Sequence, residues 1–245
     1  LVMVTALTIG LSVAARTITN IRTSEDAQNS EQAFSAAEAG IEQSLTNLNS
    51  VKGTFPNNAT YQTTVNPLSG IEFPLNNGSP VLKDDAIDLW LSTYPGYTNP
   101  WSGNITFYWG QPADTCSTSE TTNSMAALEV IAVVGTRANP RVERYAFDPC
   151  SPRSLTNQFT FIAPGGGVVS GKTYRYRRTI TVTSGLFVRV VPLYSPVLIA
   201  AKGCDSANAN CAALPSQGTV IEAVGTVNNT QRKLVTYRNY PKLPT

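Results

Sequence analysis

The hydrophobic and polar positions divide the chain into a helical first fifth and a strand-patterned remainder. Residues 1–15, LVMVTALTIGLSVAA, hold no charged side chain; the first is Arg16. From Thr17 to Leu48 there is no proline, and the only glycine is Gly40. Phe34, Ala37, Ile41, Leu45 and Leu48 recur at spacings of three and four, which places them on one helical face. The pattern predicts one continuous helix over residues 1–48, roughly 70 Å long at about 1.5 Å per residue. Its first part is apolar all round and needs burial in lipid or against protein. Its second part is amphipathic and fits packing on a head domain through Phe34, Ala37, Ile41, Leu45 and Leu48. The uncharged run is short of the ~20 residues that span a bilayer core.

Residues 51–85 read as a linker that leaves the helix and wraps the head. They are rich in Asn, Thr and Gly, carry Pro56, Pro67, Pro74 and Pro80, and show little periodicity. From Ala86 the pattern changes to period two. Ala86–Ser92 and Asn104–Trp109 read as strands. Met125–Val134 and Arg141–Phe147 read as a hairpin around Gly135–Pro140. Gln158–Ile162 and Pro196–Ala201 read as short strands. Lys172–Thr183 and Leu186–Val191 read as a hairpin turning at Ser184–Gly185, and Thr219–Val227 pairs with Thr230–Tyr240 across Asn228–Asn229. The expected fold is α+β: a helical spine over 1–50, a linker over 51–85, and a head over 86–245. The head has about ten strands in adjacent hairpins, as a large antiparallel sheet or a two-sheet sandwich.

Composition narrows the function. Charged residues are 14% of the 245, against ~25% in ordinary soluble domains. Ser, Thr, Asn and Gly fill the gap, which suits an extracellular surface. A net charge of +2 gives no reason to expect nucleic acid or anionic lipid as a partner. The four cysteines, Cys116, Cys150, Cys204 and Cys211, allow three pairings as two disulfides. Cys116–Cys150 with Cys204–Cys211 is favoured, and such loops contribute roughly 4 and 2.5 kcal/mol in the chain-entropy picture. With no histidine and no closely spaced cysteine pair, no zinc site is expected.

The chemistry-bearing candidates are few. The absence of histidine removes Ser-His-Asp and Cys-His catalysis, so no enzyme activity, catalytic residue or cofactor is expected. Asp84, Asp85 and Asp88 cluster but lack the alternating ligands and glycine of a calcium loop. Gly165–Gly167 lacks the Lys-Ser/Thr and helix of a phosphate loop and reads as a turn. In Lys172–Arg178, basic residues alternate with Tyr174 and Tyr176. That alternation suits stacking on single-stranded nucleic acid, but equally a half-buried strand with the tyrosines inward, which is the preferred reading. Glu38 and Glu42 flank the helical stripe, either as solvated edge carboxylates or as partners across a subunit interface. Asn58, Asn77, Asn104 and Asn228 each begin an N-x-Ser/Thr sequon.

An uncharged N-terminal helix passing directly into an amphipathic one, with Ala33-Phe34-Ser35-Ala36-Ala37-Glu38-Ala39-Gly40 in the second part, resembles the type IV pilins and their minor-pilin and pseudopilin relatives. The resemblance covers residues 1–48. It implies an extracellular filament, held in the bacterial inner membrane before assembly. The filament is a helical homopolymer whose spine is built from Leu1, Val2, Val4, Leu7, Ile9, Leu11 and Val13. Such chains carry a glutamate at the fifth mature position, where this one has Thr5; the expectation is that further mature residues precede Leu1. The alternative is a membrane-anchored binding module, with the helix as stalk and the β head recognising a surface ligand.

Overall fold

The computed structural model describes residues 2–117, 119, 123–205 and 210–242, with the backbone alone for 2–15. In chain order the elements are α1 (Val2–Asn47), β1 (Lys52–Thr54), β2 (Thr60–Pro67), β3 (Glu72–Pro74), β4 (Ile87–Trp90), β5 (Trp101–Trp109), β6 (Ala127–Thr136) and β7 (Asn139–Asp148). There follow α2 (Ser151–Asn157), β8 (Thr160–Phe161), β9 (Gly167–Val169), β10 (Lys172–Tyr174), β11 (Tyr176–Leu193), β12 (Ile199–Cys204), β13 (Gly218–Val227) and β14 (Thr230–Asn239). The fold is α+β, with one long N-terminal helix and strand-rich sheets.

The chain forms two compact units, which do not coincide with the expected spine, linker and head. One holds residues up to Pro67 together with Gly218–Arg238; the other holds Leu68–Gln217 and the residues from Asn239 on. In the first, α1 covers a four-stranded sheet of order β1-β2-β13-β14. The stretch expected to be a linker thus supplies β1, β2 and β3. Thr60, Gln62, Thr64 and Asn66 face outward and alternate with Tyr61, Thr63, Val65 and Pro67, but the buried Thr63 and the strand-ending Pro67 blur that alternation in the sequence. Val65 and Thr63 of β2 lie opposite Ile221 and Ala223 of β13.

The second unit is built on a sheet of order β3-β12-β5-β11-β6-β7-β8, with β4 pairing β11. β11 is the correction to the expected hairpin at Ser184–Gly185. It runs through that point as one strand of 18 residues with a bulge. Its first half pairs β5, as at Ile180↔Ile105. Its second half pairs β6 and β4, as at Val188↔Ala132 and Val188↔Leu89. The glycine is there for packing rather than for a turn: a Cβ on Gly185 would lie 2.6 Å from Leu91 Cδ1 and 2.7 Å from Val182 Cγ1. The expected hairpin around Gly135–Pro140 forms as β6–β7, closing at Thr136↔Asn139. The sheet is not wholly antiparallel, since β8 pairs β7 in parallel after the short helix α2. Trp90, Trp109, Tyr176, Phe107 and Leu128 are among the largest fully buried side chains of its core.

Two disulfides join Cys116 to Cys150 and Cys204 to Cys211, as favoured. Beside the first sits a buried polar node. Asp148, 0% exposed, accepts hydrogen bonds from the Cys150 backbone N–H (2.8 Å), Arg153 Nη2 (2.8 Å), Arg153 Nε (3.1 Å) and Asn157 Nδ2 (2.9 Å). The Arg153 guanidinium lies 4.2 Å from the Tyr194 ring centroid.

Candidate assembly surface of the N-terminal helix

The helix meets its own sheet through small residues. Ala33, Ala36, Ala37, Gly40 and Ser44 are buried, and the turn-by-turn recurrence of 33, 37, 40 and 44 makes one face. Opposite them stand Gly225 of β13 and Tyr61 and Thr63 of β2. A Cβ on Gly225 would fall 1.9 Å from the Ala33 carbonyl oxygen and 2.7 Å from the Ala37 nitrogen. On Gly40 it would fall 2.9 Å from both Thr63 Cγ2 and Tyr61 Cδ2. The Ser44 and Thr63 hydroxyls hydrogen-bond at 2.7 Å in the buried seam. Thr63 Oγ1 also accepts from the Val51 N–H at 2.8 Å. β14 adds polar contacts along the helix: Arg232 Nε donates to Ser30 Oγ (2.8 Å) and Arg238 Nη1 to the Leu45 carbonyl (3.2 Å).

This geometry corrects the expected packing stripe. Ala37 is buried, and Ile41 and Leu45 are half-buried. Phe34 and Leu48 are each 42% exposed. A sheet that approaches the helix backbone as closely as Gly225 does has no room for large side chains between them, so these stand on the flank. The signal was present as small residues at helical spacing, but hydrophobicity alone ranks Phe and Leu above Ala, Gly and Ser.

Beyond the seat, residues 16–28 of α1 are exposed, Ile18 and Ile21 among them at 52% and 60%. Among the expected spine residues, Leu1 and the side chains of Val2, Val4, Leu7, Ile9, Leu11 and Val13 lie outside the described residues. Among the described residues, no helix is long and apolar enough to cross a membrane. Glu38 and Glu42 are both exposed on α1.

Two hollows border this unit. One is an open concavity on the four-stranded sheet, lined by Thr54, Thr60, Gln62, Thr64, Thr226 and Gln231. The other is a groove of about 610 Å³ beside α1, where Ala36, Ala39, Phe55, Pro56 and Ala59 alternate with the polar Glu31, Gln32, Ser35 and Asn57.

The other candidates resolve into structural roles. Asp88 pairs with Arg189 through two contacts of 2.8 and 2.9 Å, and Asp85 with Lys242 at 2.6 Å. The Lys242 ammonium holds the Asp85 carboxyl below its ordinary pKa, and Asp88 raises that of Arg189. Among the described residues no cluster has the makings of a metal site. The Gly165 and Gly166 N–H groups both donate to the Arg175 carbonyl, so that loop closes on its own chain. Tyr174 and Tyr176 are buried, Arg175 Nη1 donates to the Pro112 and Asp114 carbonyls, and Arg178 lies over the Phe147 ring. The rings of Lys172–Arg178 therefore face the core and offer no stacking platform. Asn104 is 5% exposed and accepts a hydrogen bond from Thr181, while Asn58, Asn77 and Asn228 are exposed.

No protein-family model, curated protein or solved structure matches this chain.

Proposed function

We propose that this chain is a structural, non-enzymatic subunit of an extracellular, type IV pilus-like filament, polymerising with identical copies through the apolar start of α1. The observation that supports it most is the division of labour along one 46-residue helix. Residues 33–44 are seated on the chain's own sheet, whereas residues 16–28 are solvent-exposed. The run 1–15 is uncharged and its only polar side chains are the hydroxyls of Thr5, Thr8 and Ser12, so it is stable only when largely covered. Helices lying side by side with an axial offset cover one another. Gly10, Ser12, Ala14 and Ala15 are small enough to let backbones approach. An offset contact does not close, so it yields an open polymer rather than a ring. The two disulfides fit an oxidising compartment outside the cytoplasm.

Electron microscopy of the full chain tests this. Filaments are expected, with a soluble monomer after deletion of residues 1–15. Ile9→Asp is expected to block assembly, because an unpaired carboxylate in that core costs several kcal/mol per subunit. Normal filaments from either variant would overturn the reading.

The open concavity over Thr60, Gln62 and Thr64 supports a second reading, in which an anchored chain binds a surface ligand without polymerising. The same micrographs separate the two, since an anchored module gives discrete particles.

A further inference from the structure

We infer that the hairpin of β9 and β10 is a flap, closed over one face of the main sheet and hinged at Gly165–Gly167. It belongs to the second compact unit and is independent of the assembly reading. Among the described residues β9 and β10 pair only with each other, in a two-stranded sheet apart from the main one. Their turn has positive φ at both Ser170 (48°) and Gly171 (76°), the left-handed pair of a two-residue hairpin loop. The hairpin thus sets its own shape without the sheet beneath it. At its base the Gly165 and Gly166 N–H groups donate to the Arg175 carbonyl, and the Arg175 N–H donates to the Gly110 carbonyl. A Cβ on Gly166 would fall 2.1 Å from the Tyr174 carbonyl oxygen, whereas one on Gly165 would meet nothing within 4 Å. The base is fixed at Arg175, and the glycines beside it are where the backbone is free to turn.

Under the flap is a small apolar cluster of Tyr108, Val169, Tyr174 and Ala200, with Leu198 packed against it. Tyr108 and Ala200 are partners across β5 and β12. They alternate with Phe107, Trp109, Ile199 and Ala201 of the main core, so the cluster lies on the opposite face of that sheet. Of residues 167–174 only Val169 and Tyr174 are buried. Two polar contacts tie the tip down: the Ser170 N–H donates to Glu72 Oε1 (3.2 Å) and Lys172 Nζ to the Gly78 carbonyl (2.8 Å). Both Ser170 and Lys172 are exposed. The closed flap carries one defect. The Tyr174 hydroxyl is buried and has no hydrogen-bond partner among the described residues. Such a hydroxyl gives up its hydration on closing and regains it on lifting. Thin apolar anchoring, exposed polar ties and an unsatisfied hydroxyl make this the segment that opens ahead of the sheet. Lifting it bares an apolar strip of Tyr108, Leu198 and Ala200.

Amide hydrogen exchange of the full chain, read by mass spectrometry, tests this. A hairpin this short has no stability away from the sheet, so its amides exchange when the flap lifts. Residues 167–174 are expected to exchange faster than β5 and β11 beneath them. Tyr174→Phe keeps the ring and removes the unsatisfied hydroxyl. It is expected to slow exchange over 167–174 about fivefold or more, with β5 and β11 unchanged. Lys172→Met removes one tie and is expected to speed exchange over 167–174 alone. Wild-type exchange of 167–174 at the rate of β5 and β11 would overturn the flap, since the hairpin would then open only with the whole unit. Unchanged or faster exchange in Tyr174→Phe would overturn it as well. Should Tyr174→Phe fail to fold, as judged by tryptophan fluorescence, Lys172→Met decides. Faster exchange confined to 167–174 then upholds the flap, and exchange that is unchanged or faster throughout the unit removes it.

Discussion

Gly225 decides more about α1 than any large side chain does. Its missing Cβ lets the backbone of β13 touch the backbone of the helix at Ala33 and Ala37. Gly225→Ala forces helix and sheet apart, and overpacking of this kind costs about 1–3 kcal/mol or more. The expected outcome is a lower denaturation midpoint, with faster amide exchange over residues 33–44. Phe34→Ala, at a site 42% exposed, is expected to change the midpoint far less than the ~3–5 kcal/mol of a buried Phe. A second single-residue prediction concerns Asp148. It is fully buried and carries both Arg153 and the start of α2. Asp148→Ala leaves the Arg153 charge buried without its counter-ion, which costs about 3–5 kcal/mol. Urea unfolding followed by tryptophan fluorescence reads this, because Trp90, Trp101 and Trp109 all lie in the same unit. A midpoint equal to wild type would show that Arg153 finds another partner.

At the scale of elements, the strands around β11 bury tyrosine hydroxyls, and this gives the fold a limit at high pH. Burial pushes the Tyr145, Tyr174 and Tyr176 hydroxyls above the ordinary 10.0. The hydrogen bond and charge of Glu143 add to it at Tyr145, and at Tyr176 Asp114 raises while Arg175 lowers. In each the neutral form is favoured by the fold. The contribution is complete below pH 10 and is lost as pH rises through the folded value. Spectrophotometric titration of tyrosinate is expected to show a class of tyrosines ionising later in the native chain than in urea. Stability should fall together with that class. A native titration identical to the unfolded one would contradict the burial of these strands. The strands themselves were legible where alternation was strong, as in β6 and β13. β11 was misread because Ser184–Gly185 has turn chemistry, and only Leu91 packed over Gly185 shows why a strand needs a glycine there. α2 carried no periodic signal, being seven residues held by its capping loop and by Arg153.

For the molecule as a whole, the prediction of assembly turns on which parts of α1 are satisfied by the chain's own sheet. Residues 33–44 are, and 16–28 are not. Removing residues 1–15 should therefore abolish polymerisation while leaving the seat around Gly225 intact. Sedimentation and far-ultraviolet dichroism of the truncated chain would show a monomer of unchanged melting behaviour. A truncated chain that still sediments as polymer would place the driving force elsewhere.

The sequence by itself determined the long helix, the strand-rich remainder, the α+β class and the available disulfide chemistry. Each of these follows from local terms: an unbroken run free of proline, alternation of period two, and paired cysteines in a charge-poor chain. The tertiary structure decided which helical face is inside, because helix–sheet distance depends on a glycine nearly two hundred positions away. It also decided that β1 and β2 of the supposed linker join β13 and β14 in one sheet while β3 pairs β12 in another, since strand pairing is satisfied by partners remote in sequence. The burial of Asn104 and Asp148 was beyond local pattern for the same reason: a polar group's exposure is set by what the rest of the chain lays over it.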